Sequence, residues 1–276
     1  MYKVLDEDTI KNEILPYLSV AKRGFICTGK LAEVVNAILY KLKTGCQWSY
    51  LPVRSLFSKT VLSWQSVFHH FRKWCKKGDW QECWIQLLSR HKSELDLSSG
   101  DIDGSHTPAM RGGQQVAYQG RKKKKTTNAI FFTDRQGVPL AMSEPMSGNH
   151  HDCYQIEESM DAIISTVERA GISVDGLFVN ADSGFDCEKL RDYLFDKGIH
   201  ANIDFNSRNG EIDEDAFLDE ELYKERYSIE RTNAWIDSFR SLLNRFDVTV
   251  SSWLSFNHIA FMVIFLKKIR KRKEKV

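Results

Sequence analysis

Residues 223–247, YKERYSIERTNAWIDSFRSLLNRFD, read as one amphipathic helix with two unlike faces. Trp235, Phe239, Leu242 and Phe246 recur at steps of four, three and four, so at about 100° per residue they line a single apolar stripe. Tyr223, Arg226, Glu230 and Asp237 fall on the opposite side. A carboxylate on an exposed helix face is ordinarily solvated surface, so Glu230 alone carries no chemistry. What matters is which groups the rest of the chain supplies to it.

Two aspartates are the candidates. Asp103 stands in DIDGSHT and Asp182 in LFVNADSGFD, each at or just beyond a short β-like run and each followed by a small or turn-forming residue. A strand end holds a side chain rigidly, and the loop beyond it admits a ligand. Three carboxylates delivered from two strand ends and one helix face supply what two hard divalent cations require: oxygen ligands, high negative charge, and room for phosphate and water.

Asp103 in DGSHT, Asp182 in NADSGFD, and the pattern Y-x2-R-x3-E formed by Tyr223, Arg226 and Glu230 resemble the DDE transposases of bacterial insertion sequences. The segments LAEVVNAILYKLKTGCQWSYLP and WQSVFHHFRKWCKKGDW resemble the helical part that precedes the catalytic core in the same group, so the resemblance covers nearly the whole chain. It implies an RNase H-like core with two Mg2+ ions per active site, Mn2+ serving as a substitute. Asp103 is then the ligand shared by both ions, and Asp182 and Glu230 serve one ion each. The implied reaction is cleavage of the ends of a mobile element and their joining to target DNA. Its implied partners are double-stranded DNA, as terminal inverted repeats and target, and further copies of the chain as a homodimer or larger synaptic complex. Tyr223 and Arg226 would grip phosphates or a displaced base beside the cut. One departure is visible: the family often continues with Lys seven residues after the Glu, whereas position 237 is Asp, and Arg240 is the nearest downstream basic residue. Two readings from other classes stay open at this point. One is an element-derived DNA-binding protein without cleavage activity; the other is an RNase H-like nuclease that cuts but never joins strands.

At 276 residues, 42% hydrophobic and 28% charged, the chain has ordinary soluble composition and room for one large core or two modest domains. A net charge of +2 conceals an uneven distribution: residues 1–95 hold fifteen Lys and Arg against eight Asp and Glu, while residues 211–225 hold eight carboxylates and one Lys. A basic front suits phosphate contacts but is also simply soluble. The six cysteines form no CxxC pair, so zinc and disulfide frameworks are not expected. Residues 1–10 lack the apolar stretch of a signal peptide, and the chain is expected in the bacterial cytoplasm, associated with the nucleoid. Trp253–Leu266 is apolar but too short to span a bilayer, and is expected as a buried C-terminal helix.

Along the chain, residues 28–44 carry helical spacing, with Thr28 as N-cap and Gly45 as terminator, and Thr60–Lys77 repeats the pattern and ends at Gly78. With a third helix at Trp80–His91 these form a small all-α, helix-turn-helix-like domain over residues 1–96, with Arg72, Lys73 and Lys76 as DNA contacts; a bundle that only braces the core or dimerises is the alternative. Leu97–Gly100 reads as a polar break, and residues 97–276 as the catalytic domain with its C-terminal helix. The stretch 121–146 reads as a hairpin turned at Asp134-Arg135-Gln136-Gly137 and led by five cations, Arg121, Lys122, Lys123, Lys124 and Lys125, which suit a DNA backbone. A helix over Tyr154–Arg169, a strand over Leu177–Asn180, a helix over Cys187–Lys197 and a strand over Ile199–Ile203 complete the fold. The predicted class is mixed α/β, a five-stranded sheet flanked by helices. The acidic connector 211–225 leaves no room for a large inserted domain.

Overall fold

The computed structural model describes residues 3–20, 27–209 and 218–274. The chain divides into two compact units, Leu88–Trp235 and the combination of Met1–Leu87 with Ile236–Val276.

The first unit is built on a mixed sheet. Strands β1 (Ser99–Pro108), β2 (Lys124–Asp134) and β3 (Pro139–Met142) run antiparallel, while β4 (Phe178–Ala181) and β5 (His200–Ile203) lie parallel to β1, in the order β3-β2-β1-β4-β5. Short strands at Ala117–Gln119 and Met146–Ser147 extend the outer edge of β2. This is a meander followed by parallel additions, the order that the resemblance implies. Between the strands lie helices α4 (Ile156–Arg169) and α5 (Glu188–Asp196).

The hairpin turn forms where expected. Gly137 takes φ 75°, and Asp134 Oδ1 accepts from the backbone N–H of Gln136 (3.0 Å) and Val138 (2.6 Å). The polar break at Leu97–Gly100 is only half a break, because Ser99 and Gly100 already belong to β1. Gly100 is needed there, since a Cβ would collide with the Phe132 ring of β2. Asp103 therefore sits at the fifth position of a ten-residue strand rather than at its end.

The stretch 223–247 is not one helix. It divides into α6 (Glu220–Lys224), α7 (Tyr227–Asp237) and α8 (Arg240–Leu243). Tertiary bonds impose the first break: Arg135 of the hairpin turn grips Glu225 through Nη2 and Nε, each at 2.5 Å, and Ser228 bonds to Asp101 of β1. The apolar stripe shifts accordingly. In α7 the buried residues are Ser228, Ile229, Thr232 and Ile236, while Trp235 is half-buried and Phe246 is 54% exposed. Small side chains serve because α7 lies directly on the hairpin, where Thr232 Oγ1 donates to the Gly137 carbonyl at 2.5 Å and a Cβ on Gly137 would stand 2.7 Å from the Ser228 carbonyl.

The second unit is helical: α1 (Leu31–Thr44), α2 (Trp64–Lys77), most of α3 (Asp79–Arg90), α8 and α9 (Val250–Lys273). Lys30, not Thr28, occupies the N-cap of α1, and Ser63 caps α2 by accepting from Ser66 N–H, so α2 starts four residues later than Thr60. Gly45 (φ 69°) and Gly78 (φ 72°) end α1 and α2. The core is aromatic. Phe71 stacks on Phe256 (centroids 4.5 Å), and Trp84 meets Phe261 and Phe265 edge-on at 5.8 Å. These contacts place α9 with the N-terminal helices, whereas division at residue 96 groups it with the sheet. Val250–Arg272 is long and apolar enough to cross a membrane, yet 78% of its most apolar window is buried inside the protein.

Candidate active site

In the parallel pairing of β1 with β4, Asp101 lies opposite Asn180, and the two side chains bond to each other. Because strand side chains alternate with period two, Asp103 and Asp182 come level on that same face, two residues further on. Asp182 is the first residue beyond β4, and its Oδ1 accepts from Gly184 N–H (2.9 Å), opening a 3-10 turn. Burial pushes the Asp103 carboxyl up to about 6. The Asn233 bond and the Arg226 charge act against that shift, while the charges of Asp182 and Asp152 add to it.

Helix α7 closes the other side. Asn233 Nδ2 donates to Asp103 Oδ2 at 2.8 Å, and its own Oδ1 is buried without a hydrogen-bond partner. Glu230, three residues earlier on the same helix, shares that side and is exposed. Tyr223 and Arg226 belong to α6 and the turn after it, not to Glu230's helix. The Arg226 guanidinium lies 5.8 Å from the Tyr223 ring centre, and its charge acts on Asp103 as well. The Tyr223 hydroxyl points to Asp204 Oδ2 at 3.5 Å.

The donor chemistry fits a hard divalent cation at this place: two adjacent carboxylates, one of them poorly solvated, beside an unpartnered amide oxygen. Among the described residues, no group of three His, Cys, Asp or Glu side chains forms a metal-binding set. The charge of Asp182 thus acts on Asp103, whereas Glu230 stands three residues before Asn233 on the helix bonded to Asp103 and completes no set of three with them.

Three neighbours lie outside the motif residues. Asn233 carries no motif, only its spacing of three from Glu230. Asp204 is the first residue after β5 and stands level with Asp182 by the β4–β5 register. Asp152 presses its carboxylate onto Gly104 from the sheet's other face and accepts from Asn128 Nδ2 (2.9 Å), which explains the glycine after Asp103.

The five-cation run divides: Arg121, Lys122 and Lys123 form an exposed turn, with Lys123 at φ 51°, and Lys124 and Lys125 begin β2, the direct neighbour of Asp103's strand. In the helical unit Lys76 and Arg240 are exposed and Lys73 is half-buried. Arg72 is engaged internally, donating to Thr249 Oγ1 (3.1 Å) and Ser252 Oγ (3.2 Å), which removes it from the basic face.

A family profile described as "Transposase DDE domain" matches residues 95–263, and another described as "Putative transposase of IS4/5 family" matches residues 12–84. The putative transposase for insertion sequence element IS6501 of Brucella ovis is 27% identical over 143 residues, 51% of this chain and 99% of the relative. The uncharacterized 16.2 kDa protein of insertion element IS402 from Burkholderia cepacia is 25% identical over 115 residues, 41% of this chain and 74% of the relative. Among solved structures, the piggyBac transposase synaptic complex with hairpin DNA aligns with 91% of this chain and 70% of its own, at a TM-score of 0.48 and 11% identity.

Proposed function

The chain belongs to the family of transposases with a DDE domain, and on that premise we propose that it cleaves the ends of a mobile element and joins them to target DNA at Asp103, Asp182 and Glu230. The observation that carries this reading is the strand register that sets Asp103 level with Asp182, with Glu230's helix tied to Asp103 through Asn233. Two Mg2+ ions, or Mn2+ in their place, would supply a nucleophile from water or a 3′-hydroxyl and charge neutralisation at the leaving oxygen. Asp103 would bind both ions, while Asp182 and Glu230 each complete one. The poor solvation of Asp103 strengthens its attraction for any cation that enters. Asn233 holds Asp103 in orientation and offers its free oxygen to a bound water.

Tyr223 and Arg226 would hold the scissile strand beside the pair. Arg121 through Lys125 suit a phosphate backbone passing the sheet unit, and Lys73, Lys76 and Arg240 suit one passing the helical unit. The natural partners would be terminal inverted repeats and target DNA, engaged by two or more copies of the chain in the cytoplasm.

The test is end cleavage and strand transfer on DNA carrying the element's own termini. Asp182→Asn and Glu230→Gln should each lower cleavage by about 10³-fold or more, the scale on which single catalytic groups act, with DNA binding retained. A Glu230→Gln enzyme that cleaves normally would remove Glu230 from the ligand set. Cleavage without joined products would turn the assignment toward a nuclease.

A further inference from the structure

One step deeper in the sheet than the candidate ligands lies a second row of polar residues. Asp101, Asn180 and Asn202 each stand two residues before Asp103, Asp182 and Asp204, so they occupy the same face on β1, β4 and β5. All are closed off from water, at 1%, 0% and 0% exposure. Burying three such groups is unfavourable unless each is bonded.

The bonds form a continuous chain. Asn180 Nδ2 donates to Asp101 Oδ1 (2.7 Å), and Asn202 Nδ2 donates to Asn180 Oδ1 (2.7 Å). Both ends leave the sheet. At one end Ser228 Oγ of α7, itself 1% exposed, donates to Asp101 Oδ2. At the other, Asn202 Oδ1 accepts from Asp219 N–H (2.7 Å) and Asn202 Nδ2 donates to the Asp219 carbonyl (3.1 Å), while Asp219 Oδ1 caps α6 at Leu222 N–H (3.0 Å). Ser228 is two residues from Glu230, and α6 carries Tyr223. The row therefore fastens both ends of the segment that holds Tyr223 and Arg226, and its Ser228 end lies two residues before Glu230.

We propose that Asp101, Asn180 and Asn202 act as a positioning rung that fixes this segment over the Asp103–Asp182 pair. An apolar row of the same volume would hold the layers together equally well, since buried polar networks are often replaceable without loss of stability. Directional bonds do something apolar contacts cannot: they fix where along the sheet a helix sits. The inference rests on the assignment of Glu230 to the active site.

The experiment uses the full chain with Ser228→Ala and Ser228→Thr, followed by single-turnover end cleavage, amide exchange and circular dichroism. If the rung positions, Ser228→Ala folds normally, exchanges faster within residues 219–231 but not in β2, and cleaves about 10–100-fold more slowly, the range seen for groups that orient ligands. Ser228→Thr, which keeps the hydroxyl, restores both exchange and rate. Wild-type cleavage by Ser228→Ala, or loss of folding that assigns the bond to stability alone, overturns the proposal. The Glu230→Gln enzyme separates the two failures. If it is inactive while Ser228→Ala is normal, only the rung fails; if it is active, the site assignment fails first.

Discussion

The two units differ in what dominates their interiors. In the helical unit the interior is aromatic, with Trp74, Trp80, Trp84, Phe71 and Phe256 fully enclosed, and its buried histidine, His258, is kept neutral. In the sheet unit the strands that carry the candidate site enclose Asp101, Asn180 and Asn202 and half-enclose Asp103. One interior is closed chiefly by packed rings; the other encloses a row of carboxylate and amide groups that burial disfavours unless each is bonded.

The largest effect should come from breaking the aromatic interior. Trp84→Ala removes a fully buried ring packed on Phe261 and Phe265 and should lower the stability of the helical unit by about 3–5 kcal/mol in calorimetry or denaturant unfolding. Amide exchange in β2 should change much less, and an equal loss there would dissolve the contrast between the units.

Acid should act next. Burial holds the His258 imidazole down at about 4, below its ordinary value near 6.5. The unfolded chain then binds the proton more readily, so stability is full above pH 6.5 and is lost as pH falls toward 4, by at most about 3 kcal/mol. A His258→Gln chain should show a flatter melting profile across that window.

Asp103 should respond with the opposite sign. Its folded value of about 6 lies above the unfolded one, so its contribution is full below pH 4 and is lost as pH rises through 6. Asp103→Asn should therefore raise the melting temperature of the sheet unit by about 2–4 °C at pH 8, allowing for partial exposure, while ending cleavage. At pH 4 the gain should vanish. A lower melting temperature at pH 8 would show that the carboxylate is a stabilising element after all.

The smallest effect concerns the exposed run. Lys124→Gln should leave melting unchanged and lower the slope of log affinity against log salt by about one, as expected for one lost phosphate contact.

Much of the fold is legible in the sequence where local chemistry decides it. Gly45 and Gly78 end their helices, Gly137 turns the hairpin, and the run before Asp182 places that residue just past a strand. The misreadings fall where distant contacts override local pattern. Nothing between Tyr223 and Asp247 is a Gly or Pro, so periodicity carries one stripe through the break that Arg135 and Asp101 set after Lys224. Ser98, Ser99 and Gly100 look like a loop because the need for a small residue comes from Phe132, thirty-two positions on from Gly100. Helix α9 has apolar residues all round, so its sequence does not say which partners it packs on. At the candidate site the aspartates were visible as motif residues, but Asn233 and the rung beneath them become visible only through register.

The helical unit is assembled from the two extremities of the chain, residues 1–87 and 236–276. On the ribosome this imposes an order. The sheet unit, a single uninterrupted stretch, emerges whole, while the first helices must wait roughly 10–30 s for α9 to be translated, at about 5–20 residues per second. Their aromatic faces stay without Phe256, Phe261 and Phe265 for that interval, so nascent chains should be caught by holdase chaperones through their N-terminal helices. A message truncated before the codon for Val250 would leave those faces uncovered, and its product should be cleared by proteolysis rather than accumulate.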